Sequence, residues 1–163
     1  MLKYSLLALV VLFMQLPVIC DSKDFAHAIA QRGCTQEDAP ALEIYLTSSR
    51  YDGAGVPAGR YIHIEVAGRD WQDLLNRDLA LLPLSRVGSD RMKPLVRAER
   101  VMPEQRQGGD GEKRKSAWLR GTLKLSKVVA DKEVEGSYNF TGGDGRLKGN
   151  FKASWRKGRG GCG

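Results

Sequence analysis

The sequence predicts an all-β protein, an antiparallel β-sandwich or partly open barrel of about six to eight strands with a C-terminal β-meander and a short N-terminal helix. Three observations predict it. Residues 118–155 contain three apolar/polar alternations separated by two turn signals, the pattern of a meander with one buried and one wet face. Two further runs, ALEIYLT at 41–47 and YIHIEV at 61–66, alternate in the same way. No helical periodicity interleaves with these strands, which excludes a doubly wound α/β fold.

Residues 1–20 read as a secretory signal peptide. Lys3 gives a positive n-region, and 6–14 is an apolar run too short to span a bilayer, which needs about 20 residues. Cleavage is expected near Cys20. A lipoprotein is disfavoured, because Ile19 and Pro17 flank Cys20 poorly for a lipobox. The expected location is therefore secreted or periplasmic. Residues 21–40 read as an N-terminal arm, with DFAHAIAQR at 24–32 as the short helix and Gly33 as its stop. Residues 41–163 form a single β domain.

In that domain, Leu42, Ile44 and Leu46 share one face of the first run, and Ile62, Ile64 and Val66 share one face of the second. Tyr61, His63 and Glu65 point the other way. Residues 48–60 read as a long loop. Residues 70–79 fit either one or two helical turns or a bent edge strand. Residues 95–102 read as a strand with Val96, Ala98 and Met102 on one face, and 103–116 as a polar, Gly-rich mobile loop. In the meander, Leu119, Leu123, Leu125 and Val129 are expected on the inner face of the first strand. Taking residues 142–145 as a four-residue turn pairs Thr141 with Arg146. That register sets Glu135 opposite Lys152, Gly136 opposite Phe151 and Gly149 opposite Tyr138.

Removal of the signal leaves Cys34 and Cys162, and an even count in an oxidising compartment predicts a disulfide between them. It would close a loop of about 130 residues, worth up to ~5 kcal/mol by the chain-entropy argument.

Catalytic and metal chemistry find little support. The chain has two histidines, His27 and His63, with no HxH or HExxH spacing, and no serine sits in GxSxG. The bland interpretation of His63 is a half-buried sheet histidine; the functional one joins it to Glu65 and a distant carboxylate. No metal, cofactor or catalytic residue is predicted. The net charge is +7, from 26 Lys+Arg against 19 Asp+Glu. Lys148, Lys152, Arg156 and Lys157 could form one anion-binding patch; the bland interpretation is solvated charge that limits edge pairing. The meander's aromatics face inward, which argues against a nucleic-acid partner. Asn139-Phe140-Thr141 is a glycosylation sequon.

GCTQEDAPALEIYLT at 33–47, and VEGSYNFTGGDGRLKGNFKASW at 134–155 with a near-terminal Cys162, resemble a group of small secreted bacterial β-proteins of unknown function. The resemblance implies no active site. The expected function is a secreted or periplasmic non-catalytic β-domain with a binding or structural role at the cell envelope. One alternative is a secreted enzyme with a site built from scattered residues around His63. The other is an electrostatic binder of an anionic polymer or membrane surface. The partners these allow are an anionic glycan, a lipid surface or another envelope protein.

Overall fold

The computed structural model describes residues 19–20, 25–35, 38–51, 57–82, 95–104, 113–143 and 145–157. In chain order its strands are β1 (Ile19–Cys20), β2 (His27–Cys34), β3 (Pro40–Thr47), β4 (Tyr61–Ala67), β5 (Asp78–Ala80), β6 (Val96–Glu104), β7 (Lys113–Trp118), β8 (Arg120–Val129), β9 (Glu133–Gly142) and β10 (Gly145–Arg156). A 3-10 turn, Trp71–Leu74, precedes β5. All strands belong to one mixed sheet, ordered β5-β8-β9-β10-β2-β3-β4-β6-β7, with β1 also on β10. β1 and β2 run parallel to β10; the other pairings are antiparallel.

The meander takes the predicted register. Thr141 pairs with Arg146, Tyr138 with Gly149, Gly136 with Phe151 and Glu135 with Lys152. Pairing continues to Gly142 and Gly145, so the loop is two residues, tighter than expected. Gly136 has a steric reason. A Cβ there would sit 2.8 Å from Phe151 Cζ and would also overlap the Lys124 carbonyl. One inner-face assignment is corrected. The β8–β9 register shifts between Leu125 and Lys127, a bulge that reverses the alternation. Val128, not Val129, is therefore buried.

The predicted helix at 24–32 is strand β2, at the centre of the sheet between β10 and β3. Ala28 and Ala30 pack on the main core while Ile29 buries on the opposite face. Pairing on both edges overrides the helix propensity of this alanine-rich segment. Within the expected arm, residues 27–34 thus form a central strand. Residues 70–79 split between both expectations, a 3-10 turn that buries Trp71 and Leu74, then β5 on β8. Both ends of the polar stretch 103–116, expected as a loop, are strand: β6 reaches Glu104 and β7 starts at Lys113. Its Lys and Arg suit an edge strand.

The main core is the inner face of nearly every strand. Leu42, Ile44, Ile62, Ile64, Val96, Leu123, Leu125, Val134 and Phe140 all join one cluster. Two backbone bonds link the ends of the strand order: Leu119 N, next to β8, donates to Ala98 O on β6 at 2.9 Å, and Leu82 N, just past β5, donates to Val96 O on β6 at 3.0 Å. Leu81 N extends the β5–β8 pairing by donating to Gly121 O at 2.9 Å. A second cluster, Ile29, Tyr45, Tyr61 and Val101, lies on the outer face of β2, β3, β4 and β6. These strands are buried on both faces, so Tyr45 and Tyr61, expected outward, are each only 5% exposed.

Candidate functional site: a histidine between two glutamates

Strand register builds the site as two adjacent rows on the outer face. In one row Tyr45 (β3), His63 (β4), Glu99 (β6) and Trp118 (β7) stand opposite one another in sequence. In the next, Gln31 (β2), Glu43 (β3), Glu65 (β4) and Arg97 (β6) do the same. Residues two apart on a strand share a face, so the rows form one surface.

His63 is the hub. Its ring stacks on Tyr45, with centroids 4.7 Å apart and planes at 12°. Nδ1 faces Glu99 Oε1 at 3.4 Å, and Nε2 lies 4.0 Å from Glu43 Oε1. Nε2 is buried and makes no hydrogen bond among the described residues. Glu43 Oε2 accepts from Gln31 Nε2 at 2.6 Å and from the Tyr45 hydroxyl at 3.0 Å. Glu65 pairs with Arg97 at 3.8 Å. These bonds relieve the repulsion expected between Glu43 and Glu65, which are directly opposed. Gly33 makes the arrangement possible, because a Cβ at that position would overlap the Glu43 carboxyl.

The electrostatics follow from the bonds. The His63 hydrogen bond holds the Glu99 carboxyl below the usual carboxylate range; burial opposes this, and the His63 charge and Ser116 assist it. Burial, then the charge and hydrogen bond of Glu43, push the Tyr45 phenol well above its ordinary value. Tyr45 therefore stays a proton donor to Glu43.

Above the rows lies a cavity of about 210 Å³ lined by Cys34, Thr35, Glu43, His63, Glu65, Arg97, Ala98, Glu99 and Trp118. Trp118 is 43% exposed, and is the one exposed large hydrophobic among the described residues. Cys34 is disulfide-bonded, so it offers no thiolate. Thr35 Oγ1 accepts the Ala39 amide at 3.2 Å. Among the described residues no group of three or more His, Cys, Asp or Glu side chains is placed to hold a metal ion.

The sequence located His63 and asked for a distant carboxylate, which Glu99 and Glu43 supply. It misassigned Glu65, which pairs with Arg97 instead. Strand order was the missing information. Two of the four residues of the predicted anion patch have partners within the chain. Lys152 is engaged by Glu133 at 2.9 Å and Glu135 at 2.8 Å. Arg156 lies over the Tyr51 ring, 4.9 Å from its centroid, and donates to the Tyr51 carbonyl. Lys148 and Lys157 are exposed. His27 is exposed as well, and Cys162 lies outside the described residues.

No family model matches the chain, and no curated protein and no solved structure is similar to it.

Proposed function

We propose that the chain is a secreted or periplasmic, non-catalytic β-domain that binds a small cationic ligand in the cavity above His63. The observation that carries this reading is the mutual bonding of the cavity floor. Gln31 and Tyr45 hold Glu43, His63 and Ser116 hold Glu99, and Arg97 holds Glu65. Groups fixed in advance lose little freedom when a ligand arrives. Three carboxylates face one guanidinium and one imidazole, a balance that favours a positive ligand. Trp118 supplies the aromatic side chain that best receives a cation. The cavity is smaller than the ~300 Å³ at which drug-sized pockets begin, and suits a single ammonium group. The disulfide at Cys34 fits an oxidising compartment.

The test is to follow the Trp118 indole N–H by NMR while adding choline or its neutral isostere 3,3-dimethylbutan-1-ol. Choline should shift the resonance saturably, about tenfold more tightly than the alcohol, a difference of ~1.4 kcal/mol. Glu99→Gln and Gly33→Ala should each weaken the response. A resonance that neither probe moves removes the reading.

A second reading, a secreted enzyme with His63 as general base, rests on one observation. His63 faces Glu99 as a base faces the carboxylate that orients it. Against it, no described wall residue is a poised nucleophile, since Cys34 is oxidised and Thr35 is bonded within its turn. Saturable hydrolysis of a chromogenic ester that is lost in His63→Gln would favour this second reading.

For the architecture, we infer a partly open barrel. β7 and β8 are separated only by Leu119, yet β7 pairs with β6 and β8 with β9. One nearly continuous strand thus bonds to both ends of the strand order. A second cavity, lined by Arg100, Met102 and Lys115 together with Gly142, Gly145 and Leu147, supports this curl. Residues so far apart in the strand order meet only if the sheet bends round on itself.

A further inference from the structure

We infer that the outer face of β8, β9 and β10, away from the His63 cavity, is a docking surface for an anionic polysaccharide. The register places three rows there: Arg120–Thr141–Arg146, Thr122–Asn139–Lys148 and Lys124–Ser137–Asn150. Arg120, Lys124, Arg146 and Lys148 are exposed. Strands about 4.8 Å apart, rising about 3.4 Å per residue, spread these four cations over a rectangle of roughly 10 by 13 Å.

The face divides sharply by charge. Beyond these rows, Lys127 and Lys152 are neutralised by Glu133 and Glu135. Within the rows there is no carboxylate, and none of the four cations makes an ion pair among the described residues. The nearest acid in register is Asp78 on β5, opposite Lys124. Arg146 Nε instead donates to Asn139 Oδ1 at 2.9 Å, which fixes its guanidinium over the floor.

The floor chooses among polyanions. Thr122, Ser137, Asn139, Thr141 and Asn150 present hydroxyls and amides that both donate and accept, the complement of sugar hydroxyls. There is no aromatic side chain on which a base could stack. The apolar residues in register with these rows are Ala80, opposite Thr122, and Ile19, opposite Arg146, too few to make an apolar face that enters a lipid interface. What remains is a hydroxyl-rich chain that carries carboxylate or sulfate groups.

The experiment measures binding of the protein to polygalacturonate, with neutral dextran, oligo-dT and phosphatidylserine vesicles as the other arms, between 50 and 200 mM NaCl. Polygalacturonate should bind tightest and lose about tenfold over that range, as counterion release and screening require. Arg120→Gln/Lys148→Gln should weaken binding at least tenfold, while Arg69→Gln/Lys132→Gln, which removes the same charge from exposed positions elsewhere, should change it less than twofold. Equal losses in the two variants would show a net-charge effect and overturn the inference. Salt-insensitive binding, equal binding to dextran, or tighter binding to oligo-dT or vesicles would overturn it too. Choline binding at Trp118 is a separate readout, so the two proposals fail independently.

Discussion

At the residue scale, His63 and Glu99 make the most testable pair. The Glu99 carboxyl is held below its ordinary value of 4.5, chiefly by the His63 hydrogen bond. A lowered folded-state pKa adds stability above the unfolded value, and that stability is lost as pH falls through the folded value. Glu99→Gln should therefore cost about 1 kcal/mol at pH 7, roughly 3 °C in Tm. The deficit should shrink as pH falls from 4.5 through the lowered folded-state value, where wild-type Glu99 also becomes neutral in the folded protein; a deficit unchanged down to pH 3 would show that the bond is not charge-assisted. Glu133 offers a contrast. Hydrogen bonds from Lys127 and Lys152 hold it to about 2, but those lysines are largely in solvent, where such pairs contribute little. Legibility differed in the same way. The alternation in YIHIEV set His63 beside Tyr61 and Glu65, whereas Glu43 and Glu99 come from other strands, 20 and 36 residues away, and periodicity carries no information about which strands are neighbours. Trp118 was equally hidden, because its exposure depends on β7 being an edge.

At the element scale, the C-terminal meander was legible because its turns are local. The β9–β10 register runs on from Gly142 opposite Gly145, and Gly136 opposite Phe151 locks it. Strand β2 was illegible for the opposite reason. AHAIAQR has helix-forming residues, and only pairing with the distant β3 and β10 makes it a strand. The β8 bulge was also hidden, since one extra residue leaves the sequence pattern locally plausible. It makes a sharp prediction. Val128→Ala should remove buried methyls at a cost of about 1–2 kcal/mol. Val129→Ala, at a half-buried position, should cost within about 0.5 kcal/mol. Chemical denaturation of both variants gives the comparison, and equal losses would place the bulge elsewhere.

At the scale of the whole molecule, the parallel pairing of β2 with β10 bears on where the disulfide at Cys34 leads. We propose Cys162 as its partner, and the register argues against Cys20. Cys20 stands opposite Leu147, while Ala30 stands opposite Trp155. The interval is eight residues along β10, and Cys34 lies four further along β2. At about 3.3 Å per residue that separates Cys20 from Cys34 by roughly 40 Å, and a disulfide tolerates only about 7 Å between Cα atoms. Arg156 stands opposite Gln31, three residues short of Cys34 on β2, and Cys162 follows Arg156 by six residues in the sequence. Such a bond would staple the centre of the sheet to the C-terminus, and the ~5 kcal/mol expected for so long a loop is a large share of a domain's stability. Cys34→Ser should therefore lower Tm by 10 °C or more. Because Cys34 also lines the cavity, it should loosen the wall beside Glu43 and weaken choline binding. Peptide mapping without reductant should recover a fragment joining Cys34 to Cys162. Recovery of a Cys20–Cys34 fragment instead would require a different pairing of β1 and remove the parallel register on which the argument stands.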